Sequence, residues 1–250
     1  ERLENKTWSL HIGQKIYNAH SGSTRIKEQV DRPITGYLYV SGEIKWFFKN
    51  EDVFSFGSEV AAIGPQAFGE EVQAGYHNLL SFYPVKGWEY QLNNAIGLDI
   101  RSSYSHYIFR SSSNKWDGFL NANLSLGSNN TRVAVGPSFR YGRFNRMFES
   151  AEMGSRVNTK NNKLKKERYF FYRPQINWVA FNSTIQGGML IEDKGPVTYD
   201  VKPFVLSQVF GIQWNSDRVG LNFSYVFNTR EVKSDAVAHQ YGSLRFSYYF

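Results

Sequence analysis

At 250 residues and 28.9 kDa the chain is long enough for one closed β-barrel or for one to two ordinary soluble domains. It contains no cysteine, which excludes disulfide frameworks, thiolate metal sites and cysteine nucleophiles. The formal net charge is +7, yet Lys and Arg are scattered through loops without a nucleic-acid motif, so phosphorylated lipid head groups and not nucleic acid are the expected anionic partner.

Aromatic residues make up 17% of the chain while its mean hydropathy is -0.47, so many rings sit in a sequence that is polar on average. No stretch approaches the roughly 18 consecutive apolar residues of a membrane-spanning helix. If the chain spans a membrane, it does so with strands. Ten strand-like segments are predicted: 8–17, 34–49, 52–64, 88–110, 115–127, 131–145, 167–181, 202–215, 218–229 and 241–250. The first directs His11 to the polar side. The fifth sets Leu120, Ala122, Leu124 and Leu126 against Asn121, Asn123 and Ser125, and the ninth sets Val219, Leu221, Phe223, Tyr225 and Phe227 against Gly220, Asn222 and Ser224. In the last, Leu244, Phe246, Tyr248 and Phe250 share one face. A period of two with aromatics on one side and small polar residues on the other is the pattern of an all-β, antiparallel transmembrane β-barrel. A chain that ends on such a strand looks like the closing element of a bacterial outer-membrane barrel.

A periplasmic C-terminus fixes the direction of every strand. The short connections near 49–52, 110–115 and 215–218 become periplasmic, and the long ones at 18–33, 65–87, 182–201 and 230–240 become extracellular. The connection 146–166, which holds Lys160, Lys163, Lys165 and Lys166, breaks this rule. Residues 66–80 do not alternate: Phe68, Val72, Gly75, Tyr76 and Leu79 recur at helical spacing, with Gln73 and His77 four apart on another face. They predict one short helix at the extracellular rim.

Five histidines are present, and His77 stands out because it lies on the one predicted helix, a turn after a Gln able to orient it. The same spacing suits a rim histidine packed among aromatics. His11 reads as structural; His20, His106 and His239 have no partner at motif spacing. No metal-ligand motif, phosphate-cradling glycine loop or serine nucleophile elbow is present. Arg25, Lys27 and Arg32 cluster in the 18–33 loop, where they could meet lipid phosphates or acidic sugars, or form a solvated charged loop.

Three blocks resemble the outer-membrane lipid A 3'-O-deacylase (LpxR-like) family. Leu10 to Tyr17, followed by Asp31 to Tyr39, is similar to Gly-Gln-x-Ile-Tyr and Asp-Arg-Pro-Tyr-Ala-Gly-x-Leu. Ile63 to His77, then Gly87 to Leu92, is similar to Gly-Pro…Gly-x-x-Val-Gln-x-x-x-His and Gly-Trp-x-x-Gln-Leu. Asn182 to Gly188 is a weaker third block. The resemblance implies a twelve-stranded barrel, of which the ten strands here are two short. It also implies that 1–250 is a single barrel domain whose N-terminal part, with an Asn-Asp pair, precedes Glu1. It implies calcium-dependent hydrolysis of the ester-linked 3' acyloxyacyl group of lipid A in lipopolysaccharide. His77 would be the catalytic base, Gln73 an accessory positioning residue, and Arg25 and Lys27 contacts to the acidic core sugars, beside which the loop reading sets Arg32 as a further substrate contact. The calcium ligands are unassigned, and a monomer is expected. Ile34-Thr35 in place of Tyr-Ala, and Ala95 near a common Glu, depart from the family pattern. A catalytically silent barrel or porin and an outer-membrane phospholipase are the competing readings.

Overall fold

The computed structural model describes residues 2–20, 24, 26–150, 166–216 and 218–248. Ten strands form: β1 (Leu3–Tyr17), β2 (Thr35–Phe48), β3 (Val53–Ile63), β4 (Ala95–Arg110), β5 (Trp116–Gly127), β6 (Asn130–Arg143), β7 (Glu167–Asn182), β8 (Phe204–Ser216), β9 (Val219–Asn228) and β10 (His239–Tyr248). Each pairs antiparallel with its neighbours in sequence, in the order β1 to β10. Among the described residues no ladder joins β1 to β10. The sheet nevertheless curls, because Lys15 and Tyr17 of β1 and Tyr241 of β10 line one cavity together with residues of β4, β6, β7 and β8.

The distribution of polarity is the inverse of a soluble protein's. Trp8, Leu10, Ile12, Ile96, Leu98, Ile100, Ile176, Phe204, Leu244 and Phe246 face outward and are exposed, whereas Ser55, Glu59, Asp99, Asp117, Ser125, Arg140, Gln213, Asn215 and Asn222 face inward and are buried. Alternation at period two sorts the two sets onto opposite faces, and only a surrounding of acyl chains makes that sorting favourable. Many of the buried polar groups find partners across strands. Ser55 and Ser103 share a hydrogen bond of 2.7 Å, Ser105 donates to Asn121 at 2.7 Å, and Asn222 donates to Gln213 at 2.8 Å.

Two strand boundaries differ from the sequence reading by five residues or more. β1 begins at Leu3, five residues before the predicted 8, because Leu3–Thr7 extends the ladder to Phe48. β4 begins at Ala95 and not near 88. Gly87, at φ +102°, starts a 3-10 turn at Trp88–Tyr90, and Gln91 then bridges in parallel to Ile34, so these residues lie across the rim. The β5–β6 connection, on the same end as the long loops, is short. Asp99 Oδ1 closes it by accepting from the Asn129 and Asn130 backbone N–H groups at 2.9 and 3.1 Å.

The end with short turns is sealed by the first part of the unusual 146–166 connection; its residues 151–165 lie outside the described set, as do Phe250 and Arg25. Met147 is buried against Phe47, Val53 and Phe119. Arg140 grips the Asp117 carboxylate with two bonds of 2.9 and 2.6 Å and reaches Ser150 Oγ at 3.0 Å and the Asn145 carbonyl at 3.2 Å. Arg110 makes a two-bond pair with Glu51 at 2.8 and 2.7 Å and also meets Asp117 at 3.0 Å. The Glu51 carboxylate accepts in turn from the Met147 N–H at 3.2 Å. Paired carboxylates and guanidiniums of this geometry hold a plug in place, because breaking any one pair strands a buried charge.

Candidate functional site

At the opposite end the chain between β3 and β4 lies over the top of β1 and β2. Thr35 Oγ1 accepts from the Gly64 N–H at 3.0 Å, Gln14 donates its side-chain amide to the Ala67 carbonyl, and the Leu92 N–H donates to the Ile34 carbonyl at 2.9 Å. These contacts join the first two sequence blocks. The helix α1 (Gly69–Leu79) starts there, with His77 in its last turn and with Glu70 and Glu71 in its first, where the helix dipole favours negative charge. A Cβ at Gly69 would stand 2.5 Å from Trp88 Cη2 and 2.8 Å from the Gly36 Cα. Glycine at both positions therefore lets the helix backbone rest on the barrel rim and on the indole of Trp88, which is 3% exposed.

Gln73 and His77 share a helix face but do not bond to each other. The Gln73 Oε1 accepts from Trp88 Nε1 at 3.1 Å. His77 Nδ1 lies 2.8 Å from the Tyr83 carbonyl oxygen. A carbonyl can only accept, so Nδ1 carries a proton, and in the neutral imidazole the lone pair is then on Nε2. Ser81, at φ +54°, turns the chain back after the helix and brings Tyr83 into reach. The rings of Tyr76, Phe82 and Tyr83 stand edge-on to the imidazole at 6.1, 5.5 and 5.3 Å between centroids. The expectation that Gln73 orients His77 is thus corrected: the short turn after the helix holds the imidazole, and Trp88 holds Gln73. Trp88 entered the sequence reading only as part of a motif, since an indole N–H has no spacing signal toward a glutamine fifteen positions away.

The remaining apolar face of α1 and the turn after it, Val72, Tyr76, Leu79, Leu80, Phe82 and Tyr83, is exposed, Leu79 to 81%. It continues the outward band of the strands. The three basic loop residues part company. Arg25 is outside the described residues, and Lys27 is exposed on a 3-10 turn. Arg32 does not project outward as the substrate-contact reading requires. Its guanidinium turns into the lumen, 4.2 Å from the centroid of Tyr17, with one nitrogen donating to Thr184 Oγ1 at 3.3 Å and 3.8 Å from Glu231. His11 faces the lumen beside Tyr39, Ser41 and Arg101, as parity predicts. His106, near the lower end, has a partner that no motif spacing reveals: its Nδ1 is 3.0 Å from both oxygens of Asp52.

Among the described residues no three His, Cys, Asp or Glu side chains gather as metal ligands do.

A curled antiparallel sheet with a polar interior, an apolar exterior, a plugged lower mouth and a histidine-bearing helix on its rim defines an outer-membrane β-barrel. The model of the family described as outer membrane protein LpxR matches residues 1–250, and the chain belongs to that family. Its structure is similar to that of LpxR from Salmonella typhimurium, with a TM-score of 0.81 and 19% sequence identity, covering 100% of this chain and 86% of that one. None of the curated proteins matches it.

Proposed function

We propose that this outer-membrane protein is a lipid A deacylase, hydrolysing the ester-linked 3' acyloxyacyl group of lipid A from the outer leaflet. The observation that carries the reading is the His77 Nδ1 to Tyr83 carbonyl contact of 2.8 Å, which leaves Nε2 as a general base on a helix whose neighbouring surface is apolar. In this scheme Nε2 removes a proton from water, the resulting hydroxide adds to the ester carbonyl, and the proton is returned to the departing sugar oxygen as the acyl group leaves. Because Trp88 occupies the Gln73 carbonyl, the Gln73 amide NH2 is the end that presents donors, suited to the oxygen that gains charge. Val72, Tyr76 and Leu79 would lie among the acyl chains and bring the ester to the rim. Lys27 and Arg25 are carried as contacts to acidic sugars on the outer loop, while Arg32, turned inward, is not. Calcium, when bound, would polarise the ester carbonyl; no step above depends on it.

Mass spectrometry of lipid A from cells expressing the protein tests the reading. Loss of one acyloxyacyl group is expected, abolished by His77→Ala and, for the calcium expectation, by chelation. Retention of the full acyl complement, or equal loss with His77→Ala, would overturn it. Release of fatty acid from glycerophospholipid vesicles instead would assign a phospholipase.

A further inference from the structure

We propose that the upper lumen is a separate binding site for a small anionic saccharide, a sugar carrying a phosphate or carboxylate group. Above the plug, the interior opens into a cavity of about 630 Å3. Its roof is made by the outer loops. Tyr199 donates its hydroxyl to the Val30 carbonyl at 2.7 Å, Ser234 Oγ bonds to the Asp31 carbonyl, and Val201 bridges Val232. Neither His77 nor Gln73 lines the cavity, so it is distinct from the rim site.

Four cations, Lys15, Arg32, Arg101 and Arg132, line it against a single lining carboxylate, Glu231. Arg101 is committed to Glu59 at 2.7 Å. Arg32 has Glu231 at 3.8 Å, and among the described residues neither Lys15 nor Arg132 has a carboxylate within ion-pair distance. The ammonium of Lys15 faces the rings of Tyr37 and Tyr39 at 5.5 and 5.3 Å. The second terminal nitrogen of Arg32 is buried with no hydrogen-bond partner. The Arg132 side chain, from the opposite wall, makes no hydrogen bond or ion pair among the described residues. Like charges converging from β1, the first loop and β6 repel each other in a space of reduced dielectric, and an oxyanion between them relieves that repulsion.

A second set of observations specifies more than an inorganic ion. Asn129 Nδ2 is a buried donor without a partner, and Asn130 Oδ1 and Asn228 Oδ1 are buried acceptors without one, all on the cavity wall. Hydroxyl groups, each both donor and acceptor, satisfy such a mixture. The phenol ring of Tyr17 offers an apolar surface for a sugar face, and the volume lies within the range of small-ligand sites.

The test is isothermal titration of the full chain in detergent with glucosamine 6-phosphate, galacturonate, glucosamine and inorganic phosphate. One or both anionic sugars are expected to bind about tenfold or more tightly than glucosamine or phosphate alone. Arg132→Gln should weaken that binding by about tenfold or more, with His77→Ala leaving it unchanged. If Arg132→Gln fails the heat-shift assay for a folded barrel, Lys15→Gln serves in its place. Displacement of the bound sugar by lipopolysaccharide would assign the source as a lipid head group, and its persistence a free sugar. Absence of saturable binding by both anionic sugars, equal binding by phosphate alone, or undiminished binding by the folded variants would overturn the proposal.

Discussion

The two ends of the barrel solve the same problem in opposite ways. At the lower mouth Glu51, Arg110, Asp117 and Arg140 pair with one another at 2.6 to 3.0 Å, around the buried Met147. At the upper end Arg32 approaches Glu231 no closer than 3.8 Å, buried amides lack partners, and His77 stands at the surface with its Nε2 uncommitted. Pairing the charged groups, with Arg110 Nε left unpartnered, makes a rigid closure. Leaving some unsatisfied makes a place where water, substrate or anion can be accommodated.

Breaking the lower network should therefore change stability most. Asp117→Ala leaves two buried guanidiniums without their shared carboxylate and should cost about 3–5 kcal/mol. Urea titration of the folded barrel in detergent would measure it, and an unchanged midpoint would contradict the account of the plug. The upper end should show the reverse. Gly69→Ala forces a Cβ against Trp88 and Gly36, displaces α1, and should lower deacylation on the order of a hundredfold with the urea midpoint nearly unchanged. Trp88→Phe keeps most of the ring but removes the N–H that holds Gln73, so turnover should fall by about tenfold while KM stays near its value. A change confined to KM would place Trp88 in substrate binding instead.

The smallest effect sharpens the comparison through pH. Burial works to raise the Asp52 carboxyl, but donors from Tyr104, the Tyr107 N–H and His106 outweigh it and hold the group below its ordinary value. A lowered native value means that its stabilisation is complete above the unfolded value of about 4 and is lost as pH falls through the native one. The stability gap between the wild type and Asp52→Asn should be constant from about pH 5 upward and narrow on acidification below about pH 4. A gap that widens on acidification would reverse the sign of the argument.

Much of the architecture is legible in the chain because one-dimensional alternation maps directly onto two faces of a strand. Each of the ten predicted segments overlaps one strand, and residues 66–80 contain the helix. The misplaced start of β4 shows the limit. Trp88, Tyr90 and Leu92 alternate as a strand would, but Gly87 and the bridge from Gln91 to Ile34 give those residues to the rim. The long lower connection was equally illegible, since the reason for Met147 and Ser150 is Glu51 and Arg140, which the sequence keeps far apart.

By itself, the sequence determined the strand count, the membrane-facing surface and His77 as the residue to examine. Local period and helical spacing carry all three. Only the tertiary structure decided what each polar group touches: that Tyr83 and not Gln73 holds the imidazole, that Arg32 turns inward, and that Asp52 meets His106. The first two contacts are made by loops folding across the barrel's end and the third by the β3–β4 register, which sets Val53 opposite Ser105 and so Asp52 beside His106, and no periodicity along the chain encodes such a pairing.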